Sequence, residues 1–301
     1  MKRKIFLLAI IPAMLFSVGC NMKKSKNVNV IILSGQSNAV GCKNSQLLIN
    51  SMGQEKYEEY LSGFENIKIA YNNYEYKYDS TKEIALQNSS KRSEFVKVQL
   101  GQGNVPDNFG PEIGMAEELQ SKWGDKLYII KCACGASNLN DHWADSSFTM
   151  FQNLKSLVDK KMNELKEQGL NPILRAFCWM QGEGDSYPNY YEYYYDNLVR
   201  FKSNLDKAFL KYTENSNLPF IDAAIGPGAA KNQEVGEWVY YKEVNEDKKR
   251  FSETNETNVY IDTIAEGLHT NEEPNDNVHY DSESVVKLGH LFAKAYEQFL
   301  K

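Results

Sequence analysis

The sequence is short of the features that mark several large protein classes. It has no HExxH and no paired CxxC, so nothing points to a structural or catalytic zinc. It has no excess of basic residues. The net charge is −6 even though Lys2, Arg3 and Lys4 add three positive charges at the extreme N-terminus. The remainder is more acidic still, which argues against a nucleic-acid backbone as partner, because that needs clustered lysine and arginine. Long apolar runs are missing beyond the first twenty residues. There is no internal repeat and no low-complexity tract. Histidine is scarce, with only His142, His269, His279 and His290 available for chemistry near neutral pH.

The 301 residues, 42% hydrophobic and 25% charged, suit one large α/β domain or two small ones, with length enough for a sizeable core. The N-terminus reads differently. Residues 1–4 form a basic start, and residues 5–19 are uncharged and mostly apolar, ending at Cys20. The stretch is short for a membrane span and reads as an export signal. Ser17-Val18-Gly19-Cys20 resembles a bacterial lipobox, with Ser17 where leucine is usual. The expectation is a signal over 1–19, lipidation at Cys20, a tether over 20–27 and a catalytic domain over 28–301. That places the chain at the bacterial cell surface or in the periplasm. Cys42, Cys132, Cys134 and Cys178 remain after Cys20. Three of them sit in apolar runs, where free cysteine behaves as a small hydrophobe, and no disulfide is expected.

Apolar, β-branched runs at 28–33, 127–132, 173–180, 220–225 and 259–264 read as buried parallel strands. Helical patterns lie between them at 111–123, 151–168 and 190–210, and a last one spans 284–300. Gly169 is a stop for the second of these. Strands alternating with helices predict an α/β three-layer α/β/α sandwich on a central five-stranded parallel sheet, flavodoxin-like in architecture. The site is then expected at the carboxyl ends of the strands. Residues 46–108, rich in Tyr, Asn, Ser and Gly with only short strand-like pieces at 67–71 and 95–100, break the rhythm and read as an insertion folded over the top of the sheet. A second irregular stretch, 226–258, holds Trp238, Tyr240 and Tyr241.

Four pieces of sequence carry candidate chemistry. Ser34-Gly35-Gln36-Ser37-Asn38 follows the first strand, and a serine there either caps a helix or acts as a nucleophile. Asp276-Asn277-Val278-His279 sets a carboxylate three residues before a histidine, within reach of its ring. Trp179 to Asp185 follows the strand at 173–180 and carries Gln181, whose amide can donate to an oxyanion. Cys134-Gly135-Ala136-Ser137-Asn138 follows the strand at 127–132, and Gly135 lets the backbone approach a ligand.

Together these pieces resemble the SGNH hydrolase superfamily. More narrowly they resemble its sialate O-acetylesterase group, which includes the acetylxylan esterases of carbohydrate esterase family six. Gly35-Gln36-Ser37-Asn38 is similar to that group's GQSN block, and Gly110-Pro111-Glu112 to its GPE element. Gly135 to Leu139 with Trp143 is similar to its GGTxL…W block, with Cys134 where a first glycine is common. Trp179 to Asp185 matches WxQGExD, and Asp276 to His279 matches DxxH. The resemblance spans nearly the whole chain after the signal. It implies a serine esterase acting on an acetylated glycan, without cofactor or metal. Ser37 would be the nucleophile, His279 the base and Asp276 its orienting acid. The oxyanion donors would be Ser37, Gly135 and Gln181. Gln36, Asn38, Trp143 and Glu183 are the candidate substrate contacts. Trp143 either stacks on a sugar or packs beneath the Gly135 loop. Glu183 either serves His279 as a second carboxylate or buttresses its own loop. Glu112 and Arg175 are a candidate buried pair. A longer-acyl lipase or thioesterase, and a non-catalytic glycan-binding lipoprotein, are the competing readings.

Overall fold

The computed structural model describes residues 25–78, 84–123, 127–214, 217–227, 239–270 and 276–299. Cys20, the signal and Trp238 lie outside them. In chain order the elements are β1 (Lys26–Gly35), α1 (Ser37–Val40), β2 (Lys43–Asn44), α2 (Leu47–Met52), α3 (Gln54–Ser62), β3 (Phe64–Tyr78), β4 (Ile84–Val98), β5 (Asn108–Phe109) and α4 (Glu112–Trp123). Then follow β6 (Leu127–Gly135), α5 (Thr149–Glu167), β7 (Leu170–Met180), α6 (Tyr194–Phe209), β8 (Phe220–Ala223), α7 (Tyr241–Ser252), β9 (Asn258–Ile261) and α8 (Ser282–Glu297).

The main sheet has seven strands in the order β4-β3-β6-β1-β7-β8-β9, all parallel except β4. The five strands read from sequence are β6, β1, β7, β8 and β9. The two extra strands come from residues 46–108, which do not simply cover the sheet. β3 pairs with β6 in parallel, and β4 turns back on β3 as an antiparallel edge. β4 is polar because an edge strand is buried on fewer sides, and in β3 the buried apolar residues give way to a polar, tyrosine-rich second half, so the apolar signal that betrayed the inner strands is diluted. β1 shows the contrast: every residue from Val28 to Gly35 is buried, with β6 on one side and β7 on the other. β1 also begins at Lys26, inside the span read as a tether.

Helices cover both faces. α5 buries Met150, Phe151, Leu154, Val158, Met162 and Leu165 at the three- and four-residue steps of one face. Gly169 ends it with φ +78°, and β7 starts at the next residue. α4 and α8 cross with almost no space between their backbones. A Cβ on Gly114 would lie 1.9 Å from the Val286 carbonyl oxygen, and one on Gly289 2.1 Å from that of Pro111. Beneath α6, Trp143, Phe177, Trp179, Phe201 and Phe220 pack edge-to-face and stacked, with Trp143 and Trp179 5.3 Å apart.

One polar pair is sealed in this core. Lys131 Nζ lies 2.8 Å from Glu112 Oε2, both side chains fully buried, and it also donates to the Gln102 carbonyl. Glu112 therefore pairs with Lys131 and not with Arg175. Arg175 instead bonds Asn29 and an exposed Glu214. Glu112→Ala is expected to lower the unfolding free energy by about 3 kcal/mol or more, since it strands a buried ammonium. Urea denaturation checks this, and a loss near zero would show that the pair carries no such cost.

Candidate functional site

The end of β1 is wedged between β6 and β7. Ser34 Oγ donates to the Cys132 carbonyl (2.6 Å), and Gln36 N–H donates to the Met180 carbonyl (2.9 Å). Gly35 has φ +141°, and a Cβ there would sit 1.9 Å from that same Met180 oxygen. No other residue fits this position. Gln36 Oε1 accepts the N–H groups of Gly182 (3.3 Å) and Gly184 (3.1 Å), so its side chain holds the turn after β7. Ser37 opens the single turn of α1 and is partly exposed to a cavity of about 750 Å³.

Asn38 points the other way, into the protein. Its Nδ2 donates to Glu183 Oε1 (2.8 Å) and its Oδ1 accepts the Tyr280 N–H (3.0 Å). It thus pins the residue after His279 next to the one after Ser37. His279 shares the cavity wall with Ser37. Asp276 Oδ1 and Oδ2 stand 3.1 and 3.2 Å from His279 Nδ1. Asp276 Oδ1 also accepts the backbone N–H groups of Val278 (3.3 Å) and His279 (3.1 Å). With Nδ1–H donating to the carboxylate, Nε2 is left as the basic nitrogen. Burial alone would raise the Asp276 carboxyl. Hydrogen bonds and charge from His279, with Lys43 Nζ at 3.0 Å, outweigh it and hold the group well below the usual carboxylate range.

The structure brings Ser37, Gln36, Gly135 and His279 to one cavity, with Asp276 directly behind His279. It does not bring Gln181 there. That side chain is fully buried, and its Nε2 donates to Asp185 Oδ2 (2.5 Å) and towards Gln36 Oε1 (3.3 Å). The expectation of an oxyanion-facing amide is corrected: a buried carboxylate claims the donor. Trp143 is likewise fully buried. Its Nε1 donates to Ser137 Oγ (2.9 Å), so it packs beneath the Gly135 loop and meets no sugar. Asn38 and Glu183, 3% and 1% exposed, are also removed from the substrate contacts, because their polar atoms face one another. Glu183 lies against Asn38, and burial raises its carboxyl pKa. It buttresses its loop, and Asp276 is the carboxylate beside His279.

Asp185 fastens the loop after β6. It accepts the N–H groups of Leu139 (2.8 Å) and Asn140 (3.2 Å) at the start of a π-helical turn, Leu139–Trp143. Just before that turn Ala136 adopts φ +56°, which bends the chain sharply at the cavity wall.

Apart from His142, one of the four histidines available for chemistry, the opposite wall escaped the sequence reading. Glu75 and Tyr76 reach the cavity from β3, with Asp141 and His142 from the π-helical turn, and Tyr187 and Tyr190 from the segment before α6. The rings of Tyr76 and His142 lie 4.1 Å apart. His142 Nδ1 accepts the Asn138 N–H (2.9 Å), and burial lowers the ring's pKa, so the ring is neutral with its proton on Nε2. Only the Tyr-rich composition of 46–108 and 187–195 hinted at this wall. His269 is exposed and lies off the cavity, and His290 bonds Glu117 (2.8 Å) on α4. The four cysteines are free thiols, and burial pushes Cys42 up to about 12. Among the described residues no group of three or more His, Cys, Asp or Glu is placed to hold a metal ion.

An α/β/α sandwich with a serine, a histidine and an aspartate gathered at its strand ends defines a hydrolase scaffold of the SGNH type. Residues 27–298 match the family model described as "Carbohydrate esterase, sialic acid-specific acetylesterase", and the chain belongs to that family, whose members act on ester bonds. No curated protein matches it. Among solved structures, NanS aligns with a TM-score of 0.64 at 13% identity, over 92% of this chain and 98% of its own. A protein from Arabidopsis thaliana aligns with a TM-score of 0.59 at 19% identity, over 90% and 98%. A carbohydrate acetylesterase from Xanthomonas citri aligns with a TM-score of 0.52 at 13% identity, over 90% and 56%. At these identities the three structures speak for the fold.

Burial pushes the Asp185 carboxyl up to about 7, against its hydrogen-bond donors. An unfolded aspartate ionises near 4. Its contribution to stability is therefore complete below about pH 4 and is lost as pH rises through about 7. The melting temperature of the wild type is expected to fall more between pH 5 and 8 than that of Asp185→Asn. Parallel curves for the two proteins would refute this assignment.

Proposed function

We propose that the chain is a serine esterase that removes acetyl groups from a carbohydrate. The observation that carries this reading is the shared cavity of Ser37 and His279, with Asp276 held against His279 Nδ1. Ser37 Oγ attacks the acyl carbonyl carbon while His279 Nε2 takes its proton. Asp276 fixes the tautomer and stabilises the imidazolium that forms. The oxyanion is received by the backbone N–H groups of Ser37 and Gly135, both on the cavity wall. The tetrahedral intermediate collapses, and His279 returns the proton to the departing sugar hydroxyl. Water activated by the same imidazole then releases acetate. Gln181 supports this from beneath, through Asp185 and Gln36.

The walls favour a sugar over an alkyl chain: Tyr76, Tyr187 and Tyr190 offer ring faces, and Asn104 and Asn108 offer amides. They also bear on its charge. Glu75 and Asp141 put two carboxylates on the wall, and the described lining side chains include no Lys or Arg. Lys77, 3.3 Å from Glu75 and largely exposed, offsets part of this. The balance disfavours a sialic acid, whose own carboxylate would be repelled, and favours a neutral O-acetylated glycan. The N-terminal signal and Cys20 support an exported, lipid-anchored enzyme working on such a glycan outside the cell.

Acetate release from p-nitrophenyl acetate, acetylated xylo-oligosaccharides and O-acetylated sialic acid, by the chain without its signal and by Ser37→Ala, tests this. The wild type is expected to hydrolyse the first two faster than the third. Ser37→Ala is expected to lose roughly 10⁴-fold or more. Turnover retained in Ser37→Ala would remove Ser37 from its role. A preference for the sialate would overturn the neutral-glycan reading.

A further inference from the structure

Lys43 is a fully buried lysine that the reaction outlined above does not use. It lies on β2, six residues after Ser37, and β2 is held by pairing with β5 at Phe109. Its Nζ stands 3.0 Å from Asp276 Oδ2. The Asp276 carboxylate is thus surrounded by donors: two backbone N–H groups on Oδ1, the ammonium on Oδ2, and the imidazole Nδ1 between the two oxygens. Lys43 is absent from the cavity wall, so it acts through Asp276.

Burying an ammonium is costly, and a buried ion pair is on average no more stabilising than a well-packed apolar pair. Fold stability alone therefore does not account for a lysine at this position. Its electrostatic effect does. In a Ser-His-Asp arrangement the aspartate's charge favours the imidazolium. A cation on the same carboxylate cancels part of that charge and raises the cost of protonating the imidazole.

We propose that Lys43 is a positioning residue that fixes Asp276 and, through the charge it places on that carboxylate, tunes the basicity of His279. This rests on the reading of His279 as the base. The short segment from Gln36 to Lys43 then serves both ends of the relay. Ser37 faces the same cavity as His279, Asn38 pins the backbone at Tyr280, and Lys43 grips the carboxylate behind.

The other charged groups around His279 act beside Lys43. Glu183 lies beyond Asn38, and burial keeps its carboxyl raised. Cys42, next to Lys43, keeps its proton, with its thiol pushed up to about 12. Glu75, Asp141 and the neutral His142 face His279 from the other side of the cavity. None of these touches Asp276 as Lys43 does, so removing the Lys43 charge isolates its effect.

The test compares wild type, Lys43→Met, Lys43→Gln and Lys43→Arg. The kcat/KM for p-nitrophenyl acetate is followed against pH, and the His279 ring is titrated by NMR. Taking a cation from beside an imidazole makes protonation easier. The acid limb in Lys43→Met is therefore expected to move up by about one pH unit, and the ring titration with it. Lys43→Arg should keep both near the wild-type position. Lys43→Gln also removes the charge and leaves a polar amide in its place, so it gives the same comparison if Lys43→Met does not fold. Unmoved titrations in a folded neutral variant would overturn the proposal, as would an equal shift in Lys43→Arg. If the wild type cleaves no ester while the ring titration shifts as stated, the esterase reading fails, and only the electrostatic coupling of Lys43 to His279 through Asp276 stands.

Discussion

The site depends on one close approach. Gly35 passes so near the carboxyl end of β7 that its missing side chain is a geometric requirement, and Gln36 bonds the Met180 carbonyl immediately after it. Because β1 is also in register with β6, three strand ends converge within one or two residues of Ser37. The Gln36 side chain then gathers the turn after β7 through two backbone N–H groups. Asn38 does the same for the loop of His279. The serine is positioned by the polar residues on either side of it, both spent on the scaffold. That is why residues resembling substrate contacts in the sequence turn out to be structural.

A second constraint is how an acidic chain keeps carboxylates inside. Lys131 holds Glu112, Lys248 holds Asp222 and Lys43 holds Asp276, each lysine fully buried. Acids without a lysine in direct contact, Glu183 and Asp185, are the ones that burial pushes towards the protonated form. Asp222 is raised as well, to about 6, although Lys248 lies 2.5 Å away, because it is buried so deeply. Asp276 differs: it is partly exposed and has both Lys43 and His279 beside it, so it remains an anion. The carboxylates under the site are thereby sorted into one whose pKa is held low at the histidine and two whose pKa burial raises in the supporting turn.

The two sides of the cavity come from different parts of the chain. The residues next to Ser37 and His279 belong to the central strands and their connections. The facing wall is built partly by β3, from the excursion between residues 46 and 108, and partly by the π-helical turn that Asp185 fastens. A loop can carry specificity only if something rigid fixes it. Here the parallel pairing of β3 with β6, which continues to Glu75 opposite Gly135, provides that rigidity.

The sequence by itself determined the inner strands, the long helices and the order of the motif blocks. Each rests on a local signal: an unbroken apolar run, a three- and four-residue period, or a short block with fixed neighbours. Asp276 and His279 were legible as a pair because they lie three residues apart. Only the tertiary structure decided the rest. β3 and β4 join the sheet as long, largely polar strands, of which apolar patterning reveals only the short pieces at 67–71 and 95–100. Gln181, Trp143, Asn38 and Glu183 turned inward because Asp185, Ser137, Tyr280 and one another offered buried partners, and competition for a hydrogen bond is not written in spacing. Lys43 looked like one lysine in a polar stretch. Its contact with Asp276, 233 positions away, exists only because the strand ends fold onto one point.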